Sequence, residues 1–354
     1  MFKMKVVLFC EQRYAISILE PLQKESVERG YDVLWYIDSR NISDFDDCLE
    51  NASWTNSIQD VYDFSPEVIF VPCNIVPYYL PGVKVQIFHG YAAEKKDHWV
   101  IRKYFDIYMT QGPFFTKEFQ RLAKKHKTFE VLETGWTRQD WIYENLHAFD
   151  YYRKELLEKY KKKEIVLYAP TFSPSLTSLP TIKESLRKLV KSKNDVLLLL
   201  KFHPLTKEEW VEEYKQLALE NEDILWIEDN NVTKYQFISD VMISDTSSVV
   251  YEFLLLDKPV ITFNTIAKEI YWKNITDVSE LESAYDEVLS SDECLAQRKW
   301  IVKNYDPYLD GKVSSRMLDG AIDYIERNGI PKKKKTNFWR RYTSVKKFGK
   351  IKRA

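Results

Sequence analysis

Met242-Ile-Ser-Asp-Thr-Ser-Ser-Val-Val-Tyr-Glu252 is the stretch that decides the fold, because an apolar strand breaks there into hydroxyl residues and then into an apolar helix. Asp245 is a candidate N-cap of that helix. The first turn would then hold three residues whose N–H groups and hydroxyls converge where the helix dipole favours an anion: Thr246, Ser247 and Ser248. The stretch has two interpretations, a simple helix cap or a seat for a phosphate.

The same change from apolar strand to helix recurs along the chain. In the first half, the strand-length apolar runs are 6–9, 33–37, 68–71, 83–88 and 107–109. After a charged helical connector at 151–163, they are 165–168, 196–200, 224–227, 241–243 and 260–263. Such alternation predicts parallel sheets covered by helices, and 354 residues suffice for two domains. We therefore predict an α/β fold of two Rossmann-like domains, 1–150 and 151–330, facing a central cleft, the second including a returning C-terminal helix.

The composition is typical of a globular protein from a reducing cytosol. The chain is 45% hydrophobic and 30% charged, and its four cysteines lack the spacing of a disulfide framework or a zinc site. The first apolar run ends at Glu11, too early for a secretion signal, and no window has the roughly eighteen consecutive apolar residues of a spanning helix. No Asp and His cluster has metal-ligand spacing. We predict a cytoplasmic location, no tightly held metal and no cofactor.

Basic residues are concentrated at the C-terminus. Residues 331–354 hold eleven Lys or Arg and no acid, which leaves 41 basic and 53 acidic residues in the first 330. Aromatic and aliphatic side chains are interleaved with these cations, which suits the anionic inner face of a cell membrane. At helical spacing Phe338, Tyr342 and Val345 share a face. We predict a peripheral membrane-surface tail, with a disordered solubilising tail as the alternative; nucleic acid is not the expected partner.

Two histidines directly follow predicted strands, one in each predicted domain. His89 precedes Gly90, which allows a tight backbone turn at the strand end. His203 lies in Lys201-Phe-His-Pro204, where the proline ends another strand. Ligands of open α/β sheets bind beyond the carboxyl ends of the strands, so both imidazoles are candidates for chemistry on opposite walls of the cleft. For His89 taken alone, a loop histidine without a role is an equal alternative.

Seven segments, taken in order, resemble the CDP-glycerol glycerophosphotransferase family, the teichoic-acid primases and polymerases with the two-domain GT-B fold. The resemblance covers residues 86–322. Any one segment is a weak indication, whereas seven in order are specific. They are His89-Gly90, Glu133-Thr-Gly-Trp-Thr-Arg-Gln-Asp140, Leu167-Tyr-Ala-Pro-Thr171, Lys201-Phe-His-Pro204, Ser239-Asp-Val-Met-Ile-Ser-Asp-Thr-Ser-Ser248, Asp257-Lys-Pro259 and Asp310-Gly-Lys-Val-Ser-Ser-Arg316.

The resemblance implies a reaction and a set of residue roles. A hydroxyl of a lipid-linked or cell-surface glycan acceptor would attack the β-phosphorus of a CDP-alditol, for which we expect CDP-glycerol, and CMP would leave. His89 would act as general base and His203 would support the donor diphosphate. Glu252 would meet the nucleotide ribose, and Arg316 a phosphate. The remaining donor-binding candidates are Asp245, Thr246, Ser247 and Ser248.

The departures from the family pattern concern the acceptor side. Tyr91 and Ala92 follow His89-Gly90 where Thr-Pro is usual, Thr137 replaces a proline, and Phe172-Ser173 stands where Trp-Arg is common. The reaction type is therefore better defined than the acceptor. The candidate residues near the acceptor or the cleft are Tyr91, Lys95 and Arg138.

Two other functions fit parts of the pattern. A GT-B glycosyltransferase or nucleotide-sugar epimerase also places His-Pro and serine-rich turns against a nucleotide diphosphate. A catalytically silent, membrane-bound scaffold for an envelope-polymer complex would bind no CDP-containing ligand.

Overall fold

The computed structural model describes residues 3–42, 52–91, 96–229 and 232–352. The chain divides into two compact units, one formed by Met1–Glu144 with Asn304–Ala354 and the other by Asn145–Lys303. The predicted returning helix, 313–328, thus belongs to the first unit and not to the second, which corrects the boundary expected at residue 330. That the two domains face a cleft stays a prediction.

Each unit contains one parallel sheet. In the first, the strand order is β3-β2-β1-β4-β5-β6-β7, with β1 (Lys5–Cys10), β2 (Asp32–Ile37), β3 (Trp54–Thr55), β4 (Val68–Val71), β5 (Val83–Gln86), β6 (Ile107–Thr110) and β7 (Glu130–Glu133). In the second it is β10-β9-β8-β11-β12-β13, with β8 (Glu164–Tyr168), β9 (Val196–Leu200), β10 (Ile224–Trp226), β11 (Val241–Ser244), β12 (Val260–Phe263) and β13 (Lys273–Ile275). The predicted α/β class is confirmed.

Helices connect the strands and cover the sheets, as parallel connections require. They are α1 (Ile16–Glu28), α2 (Ile58–Phe64), α3 (Pro113–His126), α4 (Arg138–Asn145), α5 (Asp150–Tyr160), α6 (Leu179–Ser192), α7 (Glu208–Leu219), α8 (Val232–Ile238), α9 (Val249–Leu255), α10 (Leu281–Ser290), α11 (Leu295–Tyr305), α12 (Val313–Asn328) and α13 (Phe338–Phe348). Within the described ranges, no helix is both long and apolar enough to cross a membrane.

The central strands are continuous apolar runs because both of their faces are buried. All five residues of Val196–Leu200 are buried, and Val196, Leu198 and Leu200 pack in one core cluster with Leu186 and Tyr214. Burying one such aliphatic side chain stabilises the fold by about 1.5–3 kcal/mol. Because every strand in a sheet is parallel, the strand carboxyl ends share one edge. His89, His203 and the 245–248 turn follow strand ends at these edges.

The basic C-terminal segment packs on the first unit as far as it is described. Lys334 is 8% exposed, and its Nζ lies 2.8 Å from Asp106 Oδ1. The Phe348 ring packs edge-on against Phe9, with 5.5 Å between ring centroids. The segment contributes side chains to the first unit, which corrects both a tail separate from the domains and the disordered alternative. Its contact with a membrane surface stays a prediction. Arg353 lies outside the described residues.

Candidate active site

The predicted N-cap role of Asp245 is wrong. Helix α9 begins at Val249, and the Asp245 carboxylate turns away to tie the loop after β8 to the end of β11. Its Oδ1 accepts the Thr171 N–H at 2.8 Å, and its Oδ2 accepts the N–H and hydroxyl of Ser178 at 2.8 and 2.9 Å. Burial raises the pKa of Asp245 to about 6. Asp245 thus shapes the edge of the sheet, and its carboxylate is occupied by protein donors.

The hydroxyl residues that follow are more open. Thr246 Oγ1 accepts the Ile266 N–H at 3.2 Å, which ties this turn to the loop after β12. Ser247 is half-buried and Ser248 exposed, and neither hydroxyl has a hydrogen-bond partner among the described residues. Glu252 lies half-buried in the first turn of α9. The turn therefore offers two unengaged hydroxyls at the carboxyl end of β11.

His203 stands exposed after β9 with its ring held on two sides. Its Nδ1 accepts the Leu205 N–H at 3.1 Å, so in the neutral imidazole the proton is on Nε2. Phe172 stacks on the ring, with 4.4 Å between centroids and 29° between planes. Partial burial, followed by the nearby Lys201 ammonium, lowers the pKa of His203. His203 therefore presents an N–H donor at Nε2 near neutral pH.

In His89 the proton is on the other ring nitrogen from that in His203. His89 stands exposed between Phe88, whose φ is +60°, and Gly90, whose φ is +152°, so the chain takes a strained path to present this side chain. The His89 Nδ1 lies 3.2 Å from the Pro72 carbonyl oxygen. A carbonyl only accepts, so Nδ1 carries the proton and Nε2 keeps its lone pair. His89 is thereby set up to take a proton at Nε2.

The predicted acceptor-side role of Tyr91 is not supported. Tyr91 is 2% exposed, and its hydroxyl donates to Asp306 Oδ2 at 2.7 Å while accepting from Gln139 Nε2 at 3.2 Å. The same Asp306 oxygen accepts the Trp136 N–H at 3.0 Å, and burial raises the pKa of Asp306 to about 7. Tyr91 is a core residue of the first unit, and its hydroxyl is engaged by Asp306 and Gln139.

The two other acceptor-side candidates have different outcomes. Lys95 lies outside the described residues. Arg138 is half-buried at the start of α4, with its guanidinium 5.9 Å from the centre of the Trp136 ring. Its role stays a prediction.

Two of the seven segments that resemble the family, 133–140 and 310–316, contact each other inside the first unit. Asp140 caps α12 from a distant part of the chain, since its carboxylate accepts the N–H groups of Val313 and Ser314 at 2.8 and 2.7 Å. Gly135 has a φ of +92°, and a Cβ there would come within 2.8 Å of Val313 Cγ2. The Gly-x-x-Arg-x-Asp segment therefore serves to seat the start of α12.

Arg316, on α12, lies in the first unit, whereas the sequence placed it with the donor domain. Its Nε donates to the Thr134 carbonyl at 2.9 Å, and its Nη1 to Asp310 Oδ2 at 2.7 Å. Its Nη2 is buried and has no hydrogen-bond partner among the described residues. Two of its three nitrogens are thus engaged by the protein, and a phosphate would have to displace Asp310 or approach Nη2.

One accessible residue beside His89 was missed from the sequence. Tyr14 follows β1 and is 49% exposed, and its ring centroid lies 5.6 Å from that of His89. Its hydroxyl lies 3.7 Å from Cys73 Sγ. The post-strand rule that selected His89 applies equally to residues 11–14 after the first strand.

In the parts of the chain that the structure describes, no group of three or more His, Cys, Asp or Glu side chains is arranged to hold a metal ion.

A family model described as CDP-glycerol:poly(glycerophosphate) glycerophosphotransferase matches residues 82–320. The chain belongs to this family. The match includes both histidines and the 246–248 turn, so the resemblance inferred from the seven segments is confirmed. Members of this glycerophosphotransferase family are transferases, and the chain is accordingly an enzyme.

Several curated teichoic acid polymerases and primases are similar in sequence to the chain. It is 24% identical over 284 residues to a teichoic acid poly(glycerol phosphate) polymerase of Bacillus spizizenii, covering 70% of this chain and 69% of that protein. It is 38% identical over 126 residues to a teichoic acid glycerol-phosphate primase of the same organism, covering 33% and 30%. A teichoic acid ribitol-phosphate polymerase of Staphylococcus aureus is 29% identical over 163 residues, covering 44% and 27%. The chain thus spans about two thirds of the first relative and less than a third of the other two.

Solved structures share the fold of this glycerophosphotransferase-family chain. The wall teichoic acid polymerase TagF has a TM-score of 0.63 at 17% identity, covering 91% of this chain and 89% of that one. The S. aureus MnaA structure with UDP has a TM-score of 0.68 at 15% identity, covering 95% and 100%. The fold is GT-B-like. Because the likeness extends both to a polymerase and to MnaA, the fold by itself does not select the reaction.

Proposed function

We propose that this protein transfers an alditol phosphate, glycerol phosphate in the first instance, from a CDP-alditol to an acceptor hydroxyl and releases CMP. Family membership and the similarity to teichoic acid polymerases and primases support the proposal. The structural observation that supports the proposal most directly is that the two histidines are opposite tautomers. His89 has a lone pair at Nε2, whereas His203 has a proton there.

The first step assigned to the protein is proton removal by His89. The acceptor oxygen attacks the β-phosphorus of the donor, and the bond from that phosphorus to the bridging oxygen of CMP breaks. An alcohol is a much weaker acid than an imidazolium, so Nε2 takes the proton as the new O–P bond forms and not beforehand. The products are a phosphodiester and CMP, and the imidazolium later returns its proton to solvent.

The second unit would hold the donor diphosphate. His203 would donate its Nε2 proton to a phosphate oxygen and so stabilise negative charge on the departing CMP. The hydroxyls of Ser247 and Ser248, which lack protein partners among the described residues, would bind the same diphosphate together with Thr246. Glu252 is assigned to the ribose hydroxyls. Arg316, which belongs to the first unit, is assigned to a phosphate through Nη2. Asp245 would act through the loop that it holds.

We assign the acceptor to the lipid-linked or cell-surface glycan class, used at the inner face of the cell membrane. The outer side of α13 supports this assignment because Phe338, Trp339 and Tyr342 are 72, 73 and 55% exposed. Exposed cations occur in the same segment of the chain, including Lys333 and Arg341. Exposed aromatics with a basic rim suit an interface that offers both acyl chains and anionic headgroups. We call this aromatic and basic surface of α13 the outer face.

The direct test is a donor panel of CDP-glycerol, CDP-ribitol and nucleotide sugars with alkyl-linked glycerol phosphate acceptors, read by mass spectrometry. The proposal expects CMP and an acceptor extended by one alditol phosphate. Glycosyl transfer or epimerisation of a nucleotide sugar would replace the proposal with the GT-B alternative. Failure to bind any CDP-containing ligand in a thermal-shift assay would favour the scaffold alternative.

A further inference from the structure

An accessible aromatic ring stands beside His89 on the first unit. Tyr14 lies just after β1, is 49% exposed, and places its ring centroid 5.6 Å from that of His89, with 47° between planes. The Tyr14 side chain is held at its hydroxyl, which contacts Cys73 Sγ at 3.7 Å. The Tyr14 hydroxyl is therefore anchored at Cys73, while about half of the residue's surface is exposed.

The surroundings explain why this ring is fixed in place. Glu11, three residues before Tyr14, is 2% exposed, and its carboxylate pairs with Lys347 of α13. The neighbouring Cys10 Sγ donates to the Gln12 carbonyl at 3.3 Å. The turn after β1 is thus tied both to itself and to the C-terminal helix. Such a turn can present Tyr14 with little loss of side-chain entropy on binding.

The chemistry of this ring matches an alditol or sugar. Tyrosine combines a rigid apolar face with a polar hydroxyl, and it supplies contact area at low entropic cost. The C–H face of a polyol can lie on such a ring while its hydroxyls remain free to reach hydrogen-bonding groups. A unit lying on Tyr14 would place a hydroxyl close to His89, where proton removal is needed.

The position of Tyr14 in the chain also points to the acceptor. The family match begins at residue 82, so residues 11–14 fall outside the part that this protein shares with the family model. The similar proteins include glycerol-phosphate and ribitol-phosphate polymerases. Tyr14 thus lies beside His89 but outside the stretch that the family model matches.

We propose that Tyr14 is an acceptor-binding residue whose ring carries the alditol or sugar unit that bears the attacking hydroxyl. This inference rests on the proposed function, because it takes His89 as the base. Tyr14 also replaces Tyr91 as the tyrosine that meets the acceptor.

The test compares Tyr14→Ala, Tyr14→Leu and Tyr14→Phe with wild type. The probes are an alkyl-linked di(glycerol phosphate) and its ribitol counterpart, and Kd and KM are measured for each probe and for CDP-glycerol. Tyr14→Ala and Tyr14→Leu should raise Kd and KM for the better probe about tenfold or more, with a smaller effect on the Kd for CDP-glycerol. Tyr14→Phe keeps the ring and should restore most of the affinity. Tyr151→Ala, which removes a 73% exposed tyrosine from α5, is the matched control and should change neither constant.

The outcomes separate this inference from the proposed function. Wild-type transfer with unchanged acceptor Kd and KM in Tyr14→Ala and Tyr14→Leu overturns the inference and leaves the proposed function standing. A fall in kcat without a rise in acceptor KM also overturns it, because that result indicates a ring that only positions His89. Absence of binding of both CDP-glycerol and CDP-ribitol by wild type overturns the proposed function. Donor binding with no binding of either acceptor probe overturns the acceptor class stated for Tyr14.

Discussion

The Nδ1 atom of His89 lies 3.2 Å from the carbonyl oxygen of Pro72, at the end of the neighbouring strand β4. This contact fixes which imidazole nitrogen carries the proton, because the carbonyl cannot donate. It also restrains the ring, since Pro72 follows a strand that is buried along its whole length. The lone pair of Nε2 is thereby available without any rearrangement of the side chain.

His203 is expected to act as a donor to the diphosphate and not as a base. His203→Ala should lower kcat roughly 10²–10³-fold, the usual loss when one preorganised donor to a developing negative charge is removed. His203→Gln, which restores a side-chain N–H, should recover part of that loss. His126→Ala removes a histidine of α3 that has no assigned role and serves as the control. Near-normal turnover in His203→Ala would contradict the role.

Asp306 is expected to make folding stability pH-dependent. Its pKa is about 7 in the folded protein, above the usual value near 4 for an unfolded chain. Between these values the folded state holds the extra proton, so the stabilisation that Asp306 contributes is complete below about pH 4 and is lost as pH rises towards 7. Relative to Asp306→Asn, the wild type should lose roughly 1.4 kcal/mol of unfolding free energy for each pH unit in this window.

Urea unfolding at pH 4.5, 5.5 and 6.5 measures this difference. Asp323→Asn, an exposed position on α12, is the matched control and should follow the wild-type curve. Parallel pH dependence in wild type and Asp306→Asn would show that Asp306 is ionised throughout.

The outer face of α13 is expected to bind anionic membranes. Replacing Phe338, Trp339 and Tyr342 together by serine should weaken binding to phosphatidylglycerol vesicles about tenfold or more, because these rings lose their apolar contact with the bilayer. Residual binding of the triple variant should fall as salt rises, since the cations remain. Tyr151→Ser is the control, and equal binding by the triple variant and wild type would contradict the assignment.

Deletion of 332–354 is a poor test of membrane binding, because it removes side chains that support the first unit. Lys334 forms a buried pair with Asp106, and Tyr79 donates its hydroxyl proton to the Gly349 carbonyl at 2.6 Å. Removing one partner of a buried ion pair costs about 3–5 kcal/mol. Point substitutions on the outer face avoid this loss.

The central strands were predictable because they are buried on both faces and therefore consist of consecutive apolar residues. The strands that the pattern missed, β3, β7 and β13, lie at the sheet edges, where partial exposure permits residues such as Glu130 and Lys273. The two histidines were also found, because strand ends mark the binding edge of an open sheet.

The predictions that failed depend on contacts between residues that are distant in the sequence. Asp140 caps α12 across 173 positions of sequence, and that long-range contact, which puts α12 in the first unit, leaves no local periodicity. Tyr91 looked accessible because it follows His89-Gly90, but its hydroxyl is drawn inward by Asp306. Asp245 matches an N-cap by position, yet the loop containing Thr171 competes for its carboxylate.

The most direct test of the central claim is the yield of CMP and extended acceptor in one reaction with CDP-glycerol and an alkyl-linked glycerol phosphate, for wild type, His89→Ala and His147→Ala. His147 is exposed and has no assigned role, so its variant controls for loss of a histidine. We predict equal amounts of CMP and extended acceptor from wild type and His147→Ala, and a rate lower by roughly 10²–10⁴-fold in correctly folded His89→Ala. Extension of the acceptor by His89→Ala at the wild-type rate would contradict the account.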